Sequence, residues 1–282
     1  MLVLENMKSF CWMNGKIMLA ERTKVSVCDI GLLRGLGVFE VVIAYGKHPF
    51  LLKEHLRRLH ASARKLGLRM PVSDRQIYTA ILKLLAKLRE PQALIRIVLT
   101  GGGAIHGIGF NPRQPTFFIT AEKVFGFPPR IYKQGAKLIT FEYRRENPRV
   151  KHLNYREAAR LQKIKKKAGA IEILYVFDGL VYEGATSNFF IFKSNRLITS
   201  KDGVLMGVTR GLTLKLATGK FKIEERPLKF SELKTADEAF ITLTTKEVVP
   251  VVKIDNLKIG RGVVGPRTRY LMHKFKQYAR GG

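Results

Sequence analysis

The chain has 282 residues, 46% of them hydrophobic, and its 51 basic against 22 acidic residues leave a net charge of +29. That length supports a substantial core in one large domain or two modest ones, and no apolar stretch reaches the roughly 18 residues that cross a bilayer. Cys11 and Cys28 are too few for a disulfide framework and lack metal-site spacing; with no ordered secretory signal in Met1 to Lys8, the chain reads as cytosolic. The basic residues are spread along the chain, and the densest run, Lys163 to Lys167, looks like the outer face of a helix. No recognition module is visible, so the charge predicts weak, salt-sensitive adsorption to polyanions and no specific nucleic-acid partner.

In chain order, Trp12 to Ile17 reads as a hairpin whose Asn14-Gly15 turn supplies two positive-φ residues. Val38 to Ala44 and Phe50 to Leu52 form a second strand pair around Gly46 to Pro49. Leu56, Leu59, Ala63 and Leu66 recur at helical spacing, which predicts an amphipathic helix over Lys53 to Leu66. Ser73, with Gln76 three residues on, is a capping-box start for a second helix that turns Ile77, Ile81, Leu84 and Leu88 inward. Strands follow at Ala93 to Leu99 and Thr116 to Ala121, giving an α+β unit of two helices on a sheet over residues 1–122.

Phe125-Gly126-Phe127-Pro128-Pro129 breaks both periodicities and marks a linker at 123–130. Over 131–282, strands are predicted near Lys137 to Phe141, Ile171 to Phe177, Leu180 to Glu183, Phe189 to Phe192 and Ala239 to Leu243, with short helices between. Asp178-Gly179 is the turn of one hairpin, and a helix starts near Asn154. Thr209 reads as the N-cap of another helix through Ala217, Thr244-Thr245 closes the Ala239 strand, and a last helix begins at Pro266. The whole is an α+β, two-domain chain with a β-rich second half.

Glu183 ends the apolar run Leu180-Val181-Tyr182 and is followed by Gly184-Ala185-Thr186-Ser187-Asn188. A carboxylate at the end of a buried strand needs a partner, although solvated strand-end acids are the commoner case. With Asp29, Arg34 to Glu40, His55 to Leu59, Lys151 with Asn154-Tyr155, Gly207 to Arg210, Thr244-Thr245 and Gly265-Pro266, this string resembles the fold type IV pyridoxal-phosphate aminotransferases. That family takes in the branched-chain and D-amino acid aminotransferases and aminodeoxychorismate lyase, and the similarity runs through nearly the whole chain.

The resemblance implies pyridoxal 5′-phosphate as cofactor, no metal, a small α/β N-terminal domain, a larger cofactor-binding C-terminal domain, and a homodimer. It singles out Lys151 as Schiff-base lysine and proton carrier, an amine that must be held uncharged by desolvation or by positive neighbours such as Arg144 and Arg149. It assigns Glu183 to the pyridine nitrogen, and Ser187 and Asn188 to the cofactor site. The phosphate falls to the backbone of Val208 and Thr209, to Thr244, and to one of two adjacent arginines, Arg58 being the match and Arg57 its neighbour. Helix capping alone also accounts for Thr209, and plain packing also accounts for Thr244 and for Tyr155, which the resemblance sets near the cofactor's phenolic oxygen.

Substrate binding is implied for Arg34, Arg96, His106 and Thr245. Many relatives carry tyrosine at the position of Arg34; an arginine there can take an α-carboxylate bidentately, although a surface arginine beside Gly35 is the plain alternative. The Asp29 to Phe39 string with Arg34 most resembles a less usual group of D-amino acid aminotransferases, which implies a D-amino acid donor such as D-alanine with a 2-oxo acid acceptor. The Arg-x-His pair of well-known D-amino acid enzymes is missing from the loop around His106. Branched-chain L-amino acid transamination stands second, aminodeoxychorismate lyase third, and a non-catalytic polyanion-binding protein is the alternative outside enzymology.

Overall fold

A computed structural model describes residues 8–281. The chain forms two compact units, one running through Phe125 and taking in Val150–Asn154, the other comprising Gly126–Arg149 and continuing from Tyr155.

The first unit opens with β1 (Phe10–Met13) and β2 (Lys16–Leu19), joined by Asn14 and Gly15, both at positive φ. A short helix, α1 (Ile30–Arg34), leads into the long strand β3 (Gly37–Tyr45). Its return strand is β4 (His48–Pro49), not Phe50–Leu52 as the sequence suggests. The tighter turn at Gly46-Lys47 pairs Tyr45 with His48, and Leu51, at φ 52°, already turns the chain into α2 (Leu52–Lys65). α3 (Asp74–Leu88) starts at the Ser73/Gln76 capping box, and β5 (Gln92–Thr100) and β6 (Thr116–Lys123) complete an antiparallel sheet in the order β2-β1-β6-β5-β3-β4. The two helices bury Leu56, Leu59, Ile77, Ile81 and Leu84 against Val38, Val42, Ile95 and Ile97. Alternation along β3 puts Glu40 on this covered face, between Val38 and Val42.

The second unit contains α4 (Pro129–Gln134), β7 (Ala136–Glu142), α5 (Arg156–Arg160), α6 (Gln162–Lys167), β8 (Glu172–Phe177), β9 (Leu180–Gly184), β10 (Asn188–Lys193) and β11 (Arg196–Thr199). It continues through α7 (Val208–Ala217), β12 (Lys222–Glu225), β13 (Leu228–Lys229), β14 (Glu238–Leu243), β15 (Glu247–Ile254), β16 (Leu257–Lys258) and α8 (Pro266–Ala279). The strands run β12-β11-β10-β14-β15-β7-β8-β9-β13, and one further pairing, Glu183 with Asn188, joins β9 back to β10. Six strands therefore close into a ring, filled by Leu138, Leu174, Phe189, Ile191, Ile241 and Val249, and Glu183 stands at its seam. β15 is central although Pro250 hides it in the sequence. That proline, opposite Phe240, is tolerated next to an irregularity where the pairing with β7 shifts between Val251 and Lys253.

Candidate active site

In the first unit, Val150–Asn154 forms a strap along the start of β3. Lys151 O accepts from Phe39 N at 3.0 Å, Lys151 N donates to Ser62 Oγ at 3.2 Å, and Leu153 N donates to Gly37 O at 3.0 Å. The strap lies so close that a Cβ on Gly37 would meet Leu153 Cδ1 at 2.5 Å. The half-buried Lys151 holds its Nζ 4.7 Å from the Phe39 ring centroid, and no carboxylate among the described residues pairs with it. An amine without a carboxylate partner is free to meet an aldehyde in a way a salt-bridged one is not.

Beside it, Glu40 is fully buried and takes Arg58 Nε at 2.7 Å and Nη2 at 2.8 Å on its two oxygens, with His55 Nδ1 at 2.8 Å from Oε2. Burial pushes the Glu40 carboxyl up, but the charge and hydrogen bonds of Arg58, with those of His55, outweigh it and hold the group at about 2. Burial, with the nearby charges of Arg58 and Lys151, pushes His55 down despite Glu40, so the ring is neutral near pH 7 and its Nδ1–H donates to the carboxylate. Arg57, one residue earlier, is exposed.

Arg34 ends α1 and is exposed, its Nη1 donating to Leu33 O at 2.8 Å. The helix is pinned by Asp29, whose buried carboxylate accepts from Gly31 N, Thr100 Oγ1 and Thr116 Oγ1. Ile30 N to Gly102 O at 2.8 Å and Ala104 N to Cys28 O at 2.8 Å lay the glycine-rich loop against α1, so the loops of Arg34 and His106 run side by side. His106 is exposed there, at φ 47°. Arg96 stands opposite Val41 on the sheet face away from Glu40, shared with Phe39, and its guanidinium faces Glu122 at 3.9 Å.

In the second unit, Glu183 is 3% exposed. Its Oε1 accepts from Arg145 Nη1 at 2.9 Å, and its Oε2 from Leu205 N at 2.9 Å and Asn188 Nδ2 at 3.3 Å. Asn188 Nδ2 also donates to Leu205 O at 2.8 Å, which ties the strand to the segment leading into α7. Ser187 gives its hydroxyl to the buried Glu172, which also receives Thr186, so it shapes the turn beneath Glu183. Tyr155 precedes α5, half-buried, with its ring centroid 5.9 Å from Arg145 Cζ.

The N-cap of α7 is Gly207, earlier in the chain than the expected Thr209, and no side chain caps it. A Cβ at Gly207 would collide with Asn188 Oδ1, so only glycine admits this approach. Val208 and Thr209 are the first two residues of the helix, with N–H groups that the helix ladder cannot satisfy. The start of α8, by contrast, is already filled: the carboxylate of Glu238 accepts from Arg267 N and Thr268 N. Thr244 and Thr245 lie in the turn after β14, whose last residue is Leu243, and so do not close the strand as expected.

Arg145 and the Leu205 amide are the site residues that sequence reading missed. Arg144, expected with Arg149 beside the lysine, lies over the Tyr182 ring at 5.8 Å, and Arg149 donates to Lys201 O and Asp202. Arg144, Arg145 and Arg149 crowd one short stretch, and nothing in it marks which of them meets Glu183.

A strap presenting an unpaired lysine, a ring seam presenting a buried glutamate and an uncapped helix start agree with the comparisons to known proteins. The family pattern described as amino-transferase class IV matches residues 37–254. The chain belongs to the class IV aminotransferases. It is 38% identical over 278 residues to a putative branched-chain-amino-acid aminotransferase of Methanocaldococcus jannaschii, covering 94% of each chain. It is 31% identical to a D-alanine aminotransferase of Bacillus licheniformis, over 91% of this chain and 92% of that protein. Among solved structures, the Escherichia coli branched-chain amino acid aminotransferase superposes with a TM-score of 0.90 at 26% identity, over 97% of this chain and 95% of the other. A branched-chain amino acid aminotransferase from T.th., solved with pyridoxamine 5′-phosphate, gives a TM-score of 0.90 at 29% identity, with the same coverage.

This class IV aminotransferase is therefore a pyridoxal-phosphate enzyme that moves amino groups between amino acids and 2-oxo acids. Its residues fit that cofactor. The uncapped start of α7, kept open by Gly207, offers amide donors where the helix dipole favours a phosphate, and Glu183 offers a buried carboxylate for a protonated ring nitrogen. No helix among the described residues is long and apolar enough to cross a membrane.

Proposed function

We propose that this aminotransferase takes its amino group from a D-amino acid such as D-alanine, with Lys151 and Glu183 as the catalytic pair. When bound, pyridoxal phosphate supplies an electron sink for the carbanion left by loss of the α-proton. Lys151 Nζ anchors the cofactor and carries the proton between the substrate α-carbon and cofactor C4′. Glu183, oriented by Arg145, Leu205 N and Asn188, keeps the pyridine nitrogen protonated. Arg58, the Val208 and Thr209 amides and Thr244 hold the phosphate, and Tyr155 borders the phenolic oxygen.

The observation behind the D-amino acid choice is Arg34, presented at the end of a helix that Asp29 and Gly35 lock in place. Its planar fork suits an α-carboxylate, and the D choice itself follows the resemblance of the Asp29 to Phe39 string to a group of D-amino acid aminotransferases. The same loop exposes Val27 at 77% and Leu32 at 69%. Apolar side chains of that size call for cover, which a homodimer provides, with Arg34 serving the partner's site and His106, Arg96 and Thr245 assisting. A second reading, branched-chain L-amino acid transamination, is favoured by the 38% identical relative and by the solved structures.

The visible spectrum of the purified protein separates the two. Conversion of the cofactor band to the amine form on adding D-alanine, and not on adding L-leucine, is the expected result. Conversion by L-leucine alone would overturn the D-amino acid assignment and leave the enzyme class standing.

A further inference from the structure

Resting on the reading of Arg58 as a phosphate ligand, we propose that Glu40 and His55 are positioning residues that set the plane of its guanidinium and thereby decide how strongly the enzyme prefers the phosphate ester over the free aldehyde of its cofactor.

The arrangement is costly unless it serves a purpose. Glu40 is buried on a face otherwise built of Val38, Val42, Ile95 and Ile97, and a buried ion pair of this kind seldom stabilises a fold better than apolar side chains of the same volume. What the pair does provide is direction. Arg58 comes from α2 and is 12% exposed at its side chain; its Nε and Nη2 edge is clamped by both oxygens of Glu40, at 2.7 and 2.8 Å. Two parallel bonds fix a planar group in rotation as well as in place. Glu40 in turn is fixed on β3 by its backbone and by His55, one helical turn before Arg58 on the same face of α2. Three residues thus form one rigid unit linking the strand under the Lys151 strap to the helix that carries the arginine. His55 acts on Arg58 through Glu40, whose Oε2 receives both side chains.

The test compares two ligands on the full-length protein freed of cofactor, pyridoxal phosphate and pyridoxal, followed by the visible absorbance that either aldehyde gains on reaching Lys151. Loss of the orienting carboxylate in Glu40→Gln is expected to weaken pyridoxal phosphate about 10- to 100-fold, the range seen when outer-shell partners of a ligand are removed, while pyridoxal binding changes less than about twofold. His55→Leu, which removes the donor to Glu40, is expected to cost about three- to tenfold, the worth of one hydrogen bond, again for the phosphate ester alone; this variant carries the test should Glu40→Gln fail to fold. Equal weakening of both ligands in the folded variants would mean that Glu40 and His55 are structural only, and unchanged affinity for both would show that the clamp does nothing; either overturns the proposal. Arg58→Lys is the reference. If it leaves the preference for the phosphate ester intact, the reading of Arg58 fails and the positioning role falls with it; if it abolishes the preference while Glu40→Gln and His55→Leu do not, the positioning role alone fails.

Discussion

Glu183 would be among the most expensive side chains in the second unit to bury alone, since an isolated ionised carboxylate loses far more hydration than apolar packing returns. Arg145, Leu205 N and Asn188 offset that cost on both oxygens. Glu183→Gln presents an amide N–H₂ to neighbours that are themselves donors. The variant is expected to fold with a loss of about 1–3 kcal/mol, to retain its cofactor, and to lose transamination on the order of 100-fold or more, as when a preorganised electrostatic group is removed from a site. Steady-state kinetics beside a thermal melt check this, and near-normal turnover would remove Glu183 from the catalytic role.

Helix α7 carries two glycines with opposite meanings. At Gly207 a Cβ would strike Asn188 Oδ1, whereas at Gly211, inside the helix, it would meet nothing within 4 Å. Gly211→Ala should therefore raise stability by about 0.5–1 kcal/mol through helix propensity. Gly207→Ala should lower it by about 1–3 kcal/mol through overpacking and, by displacing Asn188 from Glu183, weaken cofactor binding as well. Urea unfolding and cofactor titration of both variants test the pair; stabilisation by both would mean that the Gly207 contact is not tight. Elements of this kind differ in how openly the sequence announces them. The Asn14-Gly15 turn, the Ser73/Gln76 cap and the apolar periodicity of α2 and α3 are local rules, and they appear where they were read. The cap of α7 falls at Gly207 and not at Thr209 because the reason for it is not local: Thr209 looks like a capping residue, while Gly207 answers to Asn188, on a strand far back in the sequence. β15 was missed because Pro250 breaks the local rule for a central strand and is rescued by a shift in pairing. Arg145 was missed for the same kind of reason: its carboxylate partner is 38 residues distant, and only the closed ring of strands brings the two together.

For the whole molecule, the net charge of +29 is an electrostatic load that grows as acidic groups take up protons. The buried groups of the first unit add a definite pH dependence. Glu40 is held near 2 in the fold against an ordinary value of 4.5, so its stabilising share is complete above about pH 4.5 and is lost as pH falls from there toward 2. His55 is depressed below its ordinary 6.5, so the unfolded chain gains a proton that the fold resists, and stability already declines as pH drops below about 6.5. Urea midpoints measured from pH 7 to pH 3 should fall throughout, with a steeper limb below 4.5 that Glu40→Gln flattens. A limb unchanged in that variant would mean that other carboxylates govern the acid transition.

The chain quits the first unit at Phe125, returns to it for Val150–Asn154, and leaves again. During synthesis the N-terminal unit is thus an unfinished object until the ribosome has made the opening stretch of the next one, and its last piece to arrive is the segment bearing Lys151, the proposed Schiff-base lysine. A proteolytic nick near Phe125 would cut the covalent link between the sheet and helices of the first unit and the strap that carries Lys151.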